Sequence, residues 1–92
     1  MEFEWNAGKD AENKRKHGVS LEEAVVVWGG NHLEIENIAR VRGGEKRNAT
    51  MGWIDKRVFV VIWTMRNGNI RLISARRARP HEEKIFFENF QN

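Results

Sequence analysis

The sequence predicts an α+β fold: a central antiparallel sheet of three to four strands, with two helices before it and one after. Helix-start signals crowd the first quarter of the chain. Strand-like runs joined by tight turns fill the middle. A proline-led run with apolar residues at helical spacing closes it. With 92 residues the chain makes one domain, residues 1–92, since a second would be too short to bury a core of its own.

Phe3-Glu4-Trp5 reads as a short strand or lead-in. Asn6 can cap a helix from Ala7 to His17, and Gly18 can stop it. Ala7, Ala11 and Lys14 share a face, so this helix is only weakly amphipathic. Ser20-Leu21-Glu22-Glu23 fits a capping box, which predicts a second helix through Ala24 to Trp28, ended by Gly29-Gly30. Leu33-Glu34-Ile35-Glu36 alternates as a strand does, and residues 41–46, with Gly43-Gly44, read as a loop. Arg47 to Ile54 and Arg57 to Met65 are strands about an Asp55-Lys56 turn. The second is the clearest in the chain, rich in β-branched and aromatic residues. Asn67-Gly68 suits a two-residue type I′ hairpin, with Asn69 to Arg77 returning.

That turn predicts a register. Met65 pairs with Ile70, Thr64 with Arg71, Trp63 with Leu72, Val61 with Ser74 and Phe59 with Arg76. Arg71 and Arg77 then fall on one face of the hairpin and Arg76 on the other. Both faces are apolar in the middle, which places the hairpin at the sheet centre with cover on both sides. Pro80 suits the first turn of a last helix, His81 to Phe90, whose Ile85, Phe86 and Phe90 can reach the sheet.

Composition narrows the function. Apolar residues make up 40% and charged residues 32%, and there is no cysteine, so neither disulfides nor thiolate-bound zinc is expected. No segment is apolar enough to span a bilayer, and Met1 to Trp5 lacks the basic-then-apolar pattern of a signal peptide, so the cytoplasm is the expected location. The net charge of +3 hides an asymmetry. Arg40 to Arg79 carries eleven basic and two acidic residues, a local +9, and the rest of the chain carries −6. Such a field attracts a polyanion, although arginines also decorate exposed strand positions for solubility.

Several motifs resemble the BrnT toxin family. Phe3-Glu4-Trp5, Lys9, Asn13 and Lys16-His17-Gly18-Val19-Ser20, followed by Glu22-Glu23-Ala24, are similar to its opening. Glu45-Lys46-Arg47 with Met51-Gly52 resembles its middle strand. Arg66 and the run Ile70-Arg71-Leu72-Ile73-Ser74-Ala75-Arg76-Arg77-Ala78 match its most distinctive stretch, and Glu82 stands where the last helix usually keeps an acid. The chain departs at Asn6-Ala7, where Asp-Pro is common, at Leu21, where an aromatic is usual, and at Trp63, where His or Tyr is frequent.

The resemblance implies a RelE-like fold and a ribonuclease toxin of a type II toxin–antitoxin pair that cleaves RNA and arrests growth. It implies no required metal or cofactor. A BrnA-like antitoxin would neutralise the toxin, and their complex would bind promoter DNA through the antitoxin. A non-catalytic module of the same fold, holding RNA or a partner, is the alternative.

Cleaving RNA without a metal means deprotonating the 2′-hydroxyl, neutralising the phosphorane and protonating the 5′-oxygen. Arginine suits the second task, because its planar fork matches phosphate oxygens. Arg71, Arg76 and Arg77, with His17, form the expected catalytic set, and Lys9, Arg47, Arg66 and Trp63 the expected RNA-binding set. His17 also fits a purely structural role at its helix end. Trp53 and Trp63 could each stack on a base, and Trp53 reads more readily as core. Glu45 and Glu82 suit the orientation of an arginine.

Overall fold

The fold is that of a computed structural model, which describes residues 2–40 and 44–90. The elements run β1 (Phe3–Glu4), α1 (Ala7–His17), α2 (Leu21–Ala24), a 3₁₀ turn (Val25–Gly29), β2 (His32–Arg40), β3 (Lys46–Ile54), β4 (Arg57–Arg66), β5 (Asn69–Arg77) and α3 (Pro80–Asn89). The fold is α+β, and its sheet has five strands rather than three to four, in the order β1-β5-β4-β3-β2. It is mixed, because β1 runs parallel to β5, with Phe3 opposite Ile70 and Glu4 opposite Arg71. The loop expected over residues 41–46 falls partly outside the described residues, and β3 begins at Lys46.

Local signals act where they were expected. The Asn6 side chain accepts from the Lys9 N–H, and Gly18 ends α1 at a φ of 81°. The Ser20–Glu23 capping box is closed from both sides. Only the four residues Leu21–Ala24 are α-helical, and the remainder of the expected second helix is the 3₁₀ turn. Asp55, Asn67 and Gly68 take positive φ at the two hairpin turns.

The central β4 separates two cores. Beneath α1, α2 and the 3₁₀ turn lie Phe59, Val61, Trp63, Ile70, Leu72 and Ala75, packed on Val19, Leu21, Ala24 and Val27. On the other face Ala49, Met51, Val58 and Val60 meet Phe86 of α3. Gly52 lets the 3₁₀ turn lie directly on β3. A Cβ there would stand 2.6 Å from Val27 Cγ1 and 3.2 Å from the Val27 carbonyl oxygen. Gly52→Ala is therefore expected to cost about 1–3 kcal/mol by overpacking, read as a lower denaturation midpoint with an unchanged m-value.

The hairpin register departs from expectation at one place. It holds through Trp63 opposite Leu72, then shifts, so that Ile62 faces Ser74, Val61 faces Ala75, Val60 faces Arg76 and Phe59 faces Arg77. Ile73 is the extra residue of a β-bulge. The shift puts Ala75, fully buried, under the helices in place of Ser74, which avoids desolvating a hydroxyl there. It also exchanges the two neighbouring arginines. Arg71 and Arg76 share the α3 face of the sheet, and Arg77 lies on the other.

Candidate active site

Helix α1 is tied to the sheet by one polar side chain rather than by an apolar stripe, since its only buried residue is Asn13. β1 is paired with β5 only at Ile70 and Arg71, so the outer edge of β5 needs another partner further along. Asn13 supplies it. Its Nδ2 donates to the Ala75 carbonyl at 2.9 Å and to the Val19 carbonyl at 2.8 Å, and its Oδ1 accepts from the Ala75 N–H at 3.1 Å. The side-chain amide thus takes the place of a neighbouring strand's peptide group.

This docking brings α1 against the basic ends of three strands. Asn6 at the cap of α1, Lys9 within it, Arg47 from β3, Arg66 from β4 and Arg71 from β5 line a hollow of about 240 Å3, together with Leu72 and Ile73. Two carboxylates hold the guanidiniums in place. Glu45 meets Arg66 Nη2 at 3.1 Å and Arg47 Nε at 3.5 Å, and Glu4 accepts from Arg71 Nη1 at 2.9 Å. The Arg47 Nε–H is buried and makes no hydrogen bond, although Glu45 Oε1 lies within ion-pair distance of it. Lys9 has no carboxylate within ion-pair distance among the described residues. Four cations against two carboxylates leave a formal +2, suited to a phosphodiester and to the added charge of a phosphorane.

A second hollow adjoins the first and shares Lys9 and Ile73 with it. Glu12, Asn13, Lys16, His17 and Ser74 complete its lining. Among the residues singled out from sequence, Lys9, Arg47, Arg66 and Arg71 therefore come together, with His17 next to them. Three others do not join them. Arg76 is engaged by Glu82 in a two-point ion pair, at 2.8 and 2.9 Å. Arg77 is exposed on the opposite face, with no ion pair among the described residues. Trp63 is only 6% exposed and its Nε1–H donates to Thr50, so its ring offers no face to a base. The tryptophan expectations are in fact reversed, because Trp53, read as core, is 43% exposed beside Phe87. Asn13 was visible only as a residue of the family resemblance, and its role as a strand surrogate had no sequence signal. Glu45 and Glu82 do orient arginines.

A family model described as "Ribonuclease toxin, BrnT, of type II toxin-antitoxin system" matches residues 5–82. The chain belongs to the BrnT family. The matched span takes in α1 with Lys9, Asn13 and His17, the three arginines of the first hollow, and the Arg76–Glu82 pair, and it stops within the first turn of α3. BrnT proteins are ribonuclease toxins, and as members of a type II system they have an antitoxin partner. No curated protein matches the chain. Among the described residues, no helix is long and apolar enough to cross a membrane, and no three His, Asp or Glu side chains are grouped to hold a metal ion.

In this BrnT chain the Arg76–Glu82 pair fastens the first turn of α3 to β5, and Glu82 also accepts from the Arg79 N–H at 2.8 Å. The Arg76 hydrogen bonds hold the Glu82 carboxyl well below its ordinary value of 4.5, down to about 2. The native state thus favours the ionised form. The stability this contributes is fully present above pH 4.5 and is lost as pH falls toward 2. Glu82→Gln should accordingly lose less stability than the wild type between pH 5 and pH 3, measured by urea denaturation at each pH. Equal losses would show that Arg76 does not hold Glu82 ionised.

Proposed function

We propose that this chain is a metal-independent endoribonuclease toxin of RelE-like fold that acts in the cytoplasm, arrests growth when free, and is neutralised by a BrnA-like antitoxin through which the complex binds promoter DNA. The observation that carries the catalytic part is the convergence of Lys9, Arg47, Arg66 and Arg71 on one hollow, aligned by Glu4 and Glu45. The scissile phosphate lies among the guanidiniums, whose free N–H groups neutralise the phosphorane. Glu45, bridging Arg47 and Arg66, accepts the proton of the 2′-hydroxyl as its oxygen attacks phosphorus. The P–O5′ bond breaks, the 5′-oxygen takes a proton from His17 in the adjoining hollow, and a 2′,3′-cyclic phosphate remains. Arg76 leaves the expected catalytic set for a structural role, Arg77 for a solvated one, and Trp63 leaves the RNA-binding set for the core.

The test is purified, antitoxin-free protein incubated with total RNA in EDTA, alongside induced expression of wild type and Arg71→Ala. Cleavage in EDTA, with growth arrest relieved by the substitution, is the expected result. Intact RNA together with unimpeded growth would overturn the reading. Salt-sensitive RNA binding without cleavage would replace it with a binding module.

A further inference from the structure

The sheet face that carries the arginine hollow continues into a second depression of different chemistry. Along β3, Arg47, Ala49 and Met51 point to the same side, so one two-residue step of about 7 Å leads from the basic hollow onto an apolar floor. Ala49, Met51, Val60 and Ile62 form that floor. Ile35 of β2 and Ile85 of α3 stand at its sides, 41% and 42% exposed. The remaining border is polar, formed by Arg76, Glu82 and His81. The space is about 280 Å3, at the small end of ligand sites, with room for one flat ring system and too little for a helix.

We infer that this depression receives a nucleobase of the RNA chain, the one next to the phosphate held by Arg47, Arg66 and Arg71, so the inference rests on the ribonuclease reading of that hollow. A base has two apolar faces and a hydrogen-bonding edge, and the depression offers the complement of both. The aliphatic floor and the two isoleucines take the faces. The border takes the edge: the Arg76 guanidinium keeps N–H donors beyond those given to Glu82 and to the Arg77 carbonyl, and Glu82 Oε2 has a lone pair beyond its bond to Arg76. A purely aliphatic ligand would leave these groups unused. The Arg76–Glu82 pair thereby gains a second task, presenting a fixed donor beside a fixed acceptor.

The experiment measures binding of the full chain to short, fully 2′-O-methylated oligonucleotides, which lack the attacking hydroxyl. A single abasic position is moved along the probe. Wild type should lose about ten-fold in affinity at one position, as removal of one stacked base does. Ile85→Ser and Ile35→Ser, both at exposed sites and checked by thermal melting, should weaken the intact probe by a similar factor and leave the abasic probe unaffected. Intact and abasic probes that bind wild type equally at every position would overturn the base site while leaving the arginine hollow standing. So would serine variants that weaken both probes alike. A wild type that binds no probe at low salt would remove the phosphate reading and the base site with it. Serine variants that bind RNA normally but lose the co-expressed antitoxin would assign the depression to the protein partner instead.

Discussion

Asn13→Ala is expected to lower stability by about 3 kcal/mol, a drop in melting temperature of roughly 15 °C for a domain this small. The substitution removes the donor and acceptor that satisfy three buried backbone groups: the N–H and carbonyl of Ala75 and the carbonyl of Val19. Each orphaned group costs about 1–3 kcal/mol unless water reaches it, and Ala75 is fully buried. No apolar face of α1 compensates, since Asn13 is that helix's only buried residue. Asn13→Asp should be at least as damaging, because a carboxylate facing two carbonyls replaces two donors with repulsion. Thermal melts followed by circular dichroism decide the matter. A loss of only a few degrees would mean that α1 is held by something other than the Asn13 bonds. Loss of α1 would also remove Lys9 and His17 from the two hollows, so RNA cleavage should fall together with stability.

Arg71→Ala is expected to reduce RNA cleavage by about 100-fold or more, the usual effect of deleting one donor to a developing oxyanion, while the fold persists. The guanidinium reaches the hollow from β5 and is partly exposed, so the lost ion pair with Glu4 should cost at most about 1 kcal/mol. The effect on activity is compounded because the Glu4 carboxylate is left without its cation beside the phosphate. Arg71→Lys keeps the charge but loses the two-point fork, and should fall between wild type and alanine. Arg77→Ala is the matched control from the same strand on the opposite face, and it should leave the rate near wild type. Single-turnover cleavage of a labelled RNA measures all three. A slow Arg77→Ala beside a normal Arg71→Ala would move the site to the other side of the sheet.

Much of this architecture was written in short stretches of sequence. The Asn6 cap, the Ser20–Glu23 capping box, the Asn67-Gly68 turn and Pro80 at the head of α3 all act over four residues or fewer, so neighbouring side chains suffice to set the backbone. The hairpin register followed from its turn as far as Trp63 and Leu72. The apolar character of both β4 faces was enough to place that strand centrally. The family, too, was legible, because its motifs are runs of particular residues in order.

Tertiary contact decided the rest. Phe3-Glu4 could be read as a short strand, but its place in the sheet could not, because β1 is two residues long and pairs with β5 across 67 positions of chain. The bulge at Ile73 answers to what covers each face. A small apolar side chain, Ala75, belongs beneath the helices where Asn13 takes both of its backbone groups, and Arg76 belongs opposite Glu82. The strand period is two, so one inserted residue exchanges the faces of everything after it. That exchange took Arg76 to the α3 face and left Arg77 exposed on the other. Trp63 and Trp53 show the same limit, because burial on a strand depends on how fully distant elements cover it: Trp63 lies in the core against Trp28, whereas Trp53 stays 43% exposed beside Phe86 and Phe87. From the chain alone one could read which residues were basic and which strands carried them. Only the packed sheet, with α1 pinned to its edge, determined which of those arginines share a hollow.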